Sequence, residues 1–237
     1  WYAARGYVVV IQDGRGTGTS EGTFRVLADE ARDGAEATAW AAGLAGVSGT
    51  VGGYGFSYQA MSQLMALGGG ARLSAVCPAM GAWDQWRHNA TAGGAFQLAR
   101  AVGWAMQMGA VAARNAGDGD AYAAFAAARR ALPVDGPTPA LPEIAERLRH
   151  YCHLADWIEH DGPGPFWDAM SPAAALSGRP EALLTPALHV GGWFDYFLPG
   201  TIEAHAAFRQ AGAPTRLVIG PWGHLDWGAR SGPDGFG

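Results

Sequence analysis

The chain has 237 residues, 49% of them hydrophobic and 16% charged, with a formal net charge of −5, the composition of a globular chain long enough for one large α/β domain or two small ones. All sixteen basic residues are arginine and they are scattered, so nucleic acid is not an expected partner; the absence of lysine removes the Walker phosphate loop, the pyridoxal Schiff base and any lysine nucleophile. Two cysteines, Cys77 and Cys152, make neither a disulfide framework nor a zinc site, and no apolar run reaches the roughly 20 residues that span a bilayer.

The chain opens at Trp1 without an initiator methionine and stops at Gly237 in a glycine-rich stretch, which reads as an internal piece of a longer protein. No signal peptide is visible; localisation stays open, with the cytoplasm favoured. Residues 6–13 (Gly-Tyr-Val-Val-Val-Ile-Gln-Asp) are a β-branched apolar run ending in turn residues, which predicts a strand buried on both faces. Residues 14–22 are a loop rich in Gly, Thr and Ser. Asp29 and Glu30 open a helical stretch through Leu44, acidic in its first turn. Residues 50–55 predict a second strand, residues 58–67 a helix, and residues 73–77 a third strand. An alanine- and tryptophan-rich stretch over residues 82–170 has helical spacing and no strand-like runs, interrupted by a loop at residues 133–142. Alternation resumes with a strand at residues 187–190, a helix around residues 201–210 and a strand at residues 215–219. The pattern is α/β: an open, mostly parallel sheet carrying a helical insertion.

Ligand chemistry in open α/β sheets sits at the carboxyl ends of the strands. Ser57, Asp195 and His224 fall at three such ends. Ser57, in Gly55-Phe56-Ser57-Tyr58-Gln59-Ala60, lies between a strand and a helix. A sharp turn there pushes a serine hydroxyl out towards substrate and aims the Tyr58 N–H at a developing oxyanion, with the helix N-terminus adding positive potential. Gly55 and Ala60 supply the small residues such a turn needs; Gln59 is larger than the glycine of G-x-S-x-G. An ordinary helix-capping serine is the alternative.

Serine needs a base, and seven histidines compete. His224 lies in the loop leaving the last strand, where an imidazole could swing over Ser57. His189, inside a strand, is expected to be a buried, hydrogen-bonded core residue. His150, His153 and His160 belong to the insertion, and His150-x-x-His153 beside Cys152 is a weak metal pattern. His88 and His205 read as surface positions. Asp195 would orient the base; Asp226 and Asp13 are alternative acids, Asp226 being only two residues from His224. The order Ser57, Asp195, His224 is the serine–acid–histidine order of α/β-hydrolases. The glycine loop after the first strand also suggests dinucleotide binding, but Glu21 holds the place of the third glycine and no helix opens directly after it. A turn shaping the edge of the site fits better, and neither cofactor nor metal is expected.

Residues 13–22, Asp-Gly-Arg-Gly-Thr-Gly-Thr-Ser-Glu-Gly, resemble the D-x-R-G-x-G-x-S-x-G segment of the cocaine esterase-like hydrolases, which group with the X-prolyl dipeptidyl-peptidases (S15) and the α-amino acid ester hydrolases. Residues 53–58 resemble their G-x-S-Y-x-G elbow, with Ala60 in place of the last glycine. Residues 192–197 resemble their G-W-Y-D-x-F acid motif and residues 220–224 their G-P-W-x-H motif, while residues 166–172 resemble the aromatic-W-x-x-x-S-P stretch before the acid strand. Together these cover almost the whole chain, in order.

The resemblance implies a catalytic α/β-hydrolase domain: residues 1–81 as the first part of the core, 82–170 as a helical cap and 171–237 as the second part of the core. It implies Ser57 as nucleophile, His224 as base, Asp195 as the acid holding the imidazolium, and the Tyr58 N–H as one oxyanion donor. Family members carry further N-terminal strands, an upstream tyrosine donor and a C-terminal jelly roll, and this chain is read as lacking all three. Phe197 and the insertion aromatics Trp157, Phe166 and Trp167 would line the substrate pocket. Asp156, Glu159 or Asp161 could bind the ammonium of an amino-acid substrate. The expected function is a serine hydrolase acting on a small acyl ester or amide, or on a short peptide in the X-prolyl or amino-ester branches. A non-catalytic α/β binding domain is the alternative of another class, and homo-oligomer formation is left open.

Overall fold

The computed structural model describes residues 1–132, 142–228, 230, 231, 234 and 235. It divides into two compact units, one of residues 1–12, 27–89 and 167–237, the other of residues 13–26 and 90–166.

The first unit carries the sheet. Helix α1 (Glu30–Ala42) starts after Asp29, with Glu30 and Asp33 in its first turn where the helix dipole favours negative charge. Strand β1 (Val51–Phe56) leads into α2 (Tyr58–Gly68), followed by β2 (Leu73–Ala79). After the insertion come α8 (Pro172–Ser177), β5 (Ala187–Phe194), α9 (Leu198–Ala211) and β6 (Thr215–Gly223). The four strands are parallel in the order β1-β2-β5-β6. Because the order is monotonic and such crossovers are right-handed, connecting helices fall on one face. There the core gathers Leu64 and Leu67 of α2, Val76 of β2, Leu176 of α8, Ala187 of β5 and Phe208 of α9, all buried. The alternate side chains Tyr54, Leu188 and Val218 are 40–63% exposed, as a strand's period of two requires when one face is covered.

In the second unit, the two-residue strands β3 (Thr91–Ala92) and β4 (Ala95–Phe96) form a hairpin. Helices α3 (Leu98–Asn115) and α4 (Gly119–Arg130) follow, packed on each other, then α5 (Glu143–Arg147) and α6 (Leu154–Glu159). Helix α7 (Pro165–Asp168) returns the chain to the first unit. Small residues along α3 (Ala101, Ala105, Gly109, Ala113) give it a buried stripe, and the ring of Phe125 from α4 fills the space beside Gly109. Strands β7 (Arg230–Ser231) and β8 (Asp234–Gly235) pair near the end of the chain.

The expected loop at residues 133–142 falls almost wholly on residues 133–141, outside the described residues. The expected first strand is a correction. Residues 7–14 make no ladder among the described residues, and Tyr7 to Ile11 are 44–92% exposed. A β-branched run favours extended backbone, but a strand exists only where a neighbour completes its N–H and C=O bonds. Here β1 pairs with β2 and nothing described pairs with residues 6–13. The insertion also holds the short β3–β4 hairpin, which its helical spacing did not announce.

Candidate active site

Each of the three chemically useful side chains follows the carboxyl end of a parallel strand: Ser57 follows β1, Asp195 follows β5, and His224 follows β6. Ser57 has φ 59° and ψ −115°, a strained conformation for a residue with a Cβ. Its N–H donates to the Ala79 carbonyl of β2 at 2.9 Å, and its own carbonyl accepts from the N–H groups of Ala60 and Met61 at 3.0 and 3.2 Å. The turn is tight enough that a Cβ on Gly55 would lie 2.5 Å from Gln59 Cβ and 2.6 Å from the Gln59 carbonyl oxygen. Ala60 is fully buried. The larger Gln59 is accommodated because it faces solvent.

The Ser57 hydroxyl lies 2.9 Å from His224 Nε2, and His224 Nδ1 lies 2.6 Å from Asp195 Oδ2. A carboxylate only accepts, so Nδ1 carries the proton and Nε2 presents its lone pair to the serine O–H. The Asp195 side chain is fully buried and that of His224 is 13% exposed. The other carboxylate oxygen, Oδ1, accepts from the Phe197 N–H at 2.5 Å. Both acceptor atoms are thereby engaged, which fixes the carboxylate plane facing the imidazole. Asp226, the alternative acid, is exposed, and its carboxylate accepts from the Gly228 N–H at 3.4 Å.

Three rings surround the imidazole: Tyr196, Phe56 and Phe197, with centroids 4.5, 4.7 and 5.3 Å from that of His224. Trp227 packs edge-on to Phe56 and stacks on Trp222. The sequence signal for Phe56 and Tyr196 is only their position next to Ser57 and Asp195. Phe197 is buried at 3%.

Tyr58, the first residue of α2, reaches the N-terminus of α1. Its hydroxyl donates to Glu30 Oε1 at 2.8 Å and accepts from the Leu27 N–H at 2.9 Å. Burial pushes the Tyr58 phenol well above its ordinary range, with the Glu30 charge adding to the effect. Burial likewise raises the Glu30 carboxyl.

The other sequence candidates are dispersed. Trp157 is buried in the second unit with Trp104 and His153, and burial brings His153 down to about 3. Phe166 stacks on His160 in that unit, while Trp167 is buried against Trp86 in the first. Arg149 pairs with both Asp156 and Glu159, at 3.2 and 2.5 Å. His88 is a correction to the expected surface position: it is buried, accepts the Asp84 N–H on Nδ1 at 3.0 Å and has Nε2 3.4 Å from Glu203. His189 is buried as expected, but among the described residues neither ring nitrogen has a hydrogen-bond partner, and the rings of His205 and Phe208 pack edge-on against it. Among the described residues no three His, Cys, Asp or Glu side chains converge on a metal-sized site, and no helix is long and apolar enough to cross a membrane.

Residues 1–226 match the family model of the X-Pro dipeptidyl-peptidases (S15 family). The chain is similar to the cocaine esterase of Rhodococcus sp. (strain MB1 Bresler), with 31% identity over 242 residues, covering 98% of this chain and 41% of that protein. The chain thus spans about two fifths of the length of this curated relative. Among solved structures, two of a CocE/NonD family hydrolase from Staphylococcus aureus share its α/β fold. Their TM-scores are 0.59 and 0.57 at 21% and 22% identity, over 90% and 89% of this chain and 32% of each of theirs.

Proposed function

The chain belongs to the X-Pro dipeptidyl-peptidase (S15) family, and from that premise we propose that it is a serine hydrolase, cleaving an acyl ester or amide through Ser57, His224 and Asp195. The observation that carries this function is the pair of hydrogen bonds at 2.9 and 2.6 Å that joins the three side chains in series. Ser57 Oγ attacks the acyl carbonyl carbon while its proton passes to His224 Nε2. Asp195 holds the imidazolium through Nδ1–H. The oxyanion accepts from the Tyr58 N–H, in the positive field at the start of α2. Collapse breaks the bond to the leaving alcohol or amine, which takes the proton from Nε2 and leaves an acyl-Ser57 ester. Water, deprotonated by His224, then releases the acid and returns the proton to Ser57.

Phe197, buried beside the imidazole, is the acyl-pocket residue of this mechanism. An ester is favoured over the aminopeptidase branch because the chain is 31% identical to a cocaine esterase.

The test is covalent labelling with a fluorophosphonate followed by peptide mass mapping. We expect an adduct on Ser57 that is lost in Ser57→Ala with the circular dichroism unchanged. A folded chain that takes no label, or takes it elsewhere, would point instead to a binding domain or to another nucleophile.

A further inference from the structure

Two residues with unfavourable backbone conformations face each other across one phenol. Ser57 sits at φ 59°. Leu27, a fully buried residue just ahead of α1, has φ 53°; positive φ is uncommon for a bulky aliphatic side chain. Such conformations persist only where the surroundings over-determine them. On the Ser57 side, the Ala79 carbonyl and the N–H groups of Ala60 and Met61 fix the turn from the sheet and from α2. On the Leu27 side, the positive φ accompanies an N–H that donates to Tyr58 Oη at 2.9 Å, while the Tyr58 hydroxyl donates to Glu30 Oε1 at 2.8 Å.

We propose that the Tyr58 phenol, held between Glu30 and the Leu27 amide, is a positioning device that sets the direction of the Tyr58 backbone N–H and keeps the Ser57 turn in its strained conformation. This role rests on Ser57 being the nucleophile. Tyr58 is the residue whose main chain forms the first turn of α2 and whose side chain ends on α1. With only two side-chain torsions between ring and backbone, fixing the ring end limits how far the Ser57–Tyr58 peptide plane can rotate. An oxyanion donor works only when it is held within a fraction of an ångström of where the charge develops. Glu30 therefore acts on the reaction through a tyrosine, without touching substrate.

The test compares Tyr58→Phe, Glu30→Ala and Glu30→Gln by p-nitrophenyl butyrate hydrolysis and by the rate of fluorophosphonate labelling at Ser57, well below each variant's melting temperature. Tyr58→Phe and Glu30→Ala should lower kcat and the labelling rate about tenfold with KM within about twofold. That is short of the 10²–10³ that outright loss of an oxyanion donor costs. Glu30→Gln keeps an acceptor oxygen for the phenol and should restore most of the rate. Should Tyr58→Phe not fold, the Glu30→Ala and Glu30→Gln pair gives the same comparison. Rates equal to wild type in Tyr58→Phe or Glu30→Ala, with only the melting temperature lowered, overturn the positioning role and leave α1–α2 packing as the function of the clamp. A wild-type chain with no adduct on Ser57 overturns the nucleophile assignment, and the positioning role with it.

Discussion

Replacing Asp195 by Asn isolates what the buried acid does. Asparagine keeps the shape of the side chain, and its carbonyl oxygen can still accept the Phe197 N–H now bound by Asp195 Oδ1 at 2.5 Å. Its amide nitrogen then takes the place of Oδ2, 2.6 Å from His224 Nδ1, so two donors meet. The imidazole resolves the clash by moving its proton to Nε2, and the N–H there faces Ser57 Oγ at 2.9 Å where a lone pair is needed. The serine loses its base although every atom stays in place. A tautomer switch of this kind lowers turnover about 10⁴-fold, about 5 kcal/mol on the barrier at 1.36 kcal/mol per decade. Steady-state hydrolysis of p-nitrophenyl butyrate, with circular dichroism as the control for folding, measures it. A variant that stays within tenfold of wild type would remove Asp195 from the relay and reopen the case for Asp226.

Acid should destabilise the fold through His189. Burial beside His205 and Phe208 holds it at about 4 against an ordinary value near 6.5, so the unfolded chain binds the proton more tightly. Its contribution is fully present above about pH 6.5 and is lost as the pH falls towards 4, a loss of about 3 kcal/mol at 1.36 kcal/mol per unit. Denaturant titrations at pH 7 and pH 4.5 should show His189→Phe losing less stability over that interval than wild type, and equal losses would refute the assignment. Gly55→Ala would drive a methyl to within 2.6 Å of the Gln59 carbonyl oxygen. It should cost about 1–3 kcal/mol of stability and slow Ser57 labelling, because the turn must open to make room; unchanged melting and labelling would show that the elbow is looser than the distances imply.

Residue order carried much of the site. A serine between a strand and a helix, an acid after the next-to-last strand and a histidine after the last could be matched to roles because parallel strands bring their carboxyl ends to one edge of the sheet. Side chains far apart along the chain meet there with no sequence signal of their own beyond position. The rings around His224 were less legible. Phe56 and Tyr196 look like ordinary strand and turn residues until the imidazole is placed between them. The clamp on Tyr58 was not legible at all, because nothing in the spacing of Leu27, Glu30 and Tyr58 says that α1 begins beside α2.

Local chemistry decided what the sequence determined by itself: glycine-rich turns, β-branched runs and alanine-rich helices set the alternation of elements, and the types of side chain at strand ends picked out the candidate site. Only the tertiary structure decided the rest. It set the buried Asp195 carboxylate 2.6 Å from His224 Nδ1 and left Asp226 exposed. It left residues 6–13 without a ladder among the described residues although their composition asks for one. It put His189 into the core with neither nitrogen paired among the described residues. In each case the outcome depends on which group from a distant part of the chain supplies the neighbouring donor, acceptor or ring, and a linear pattern does not contain that information.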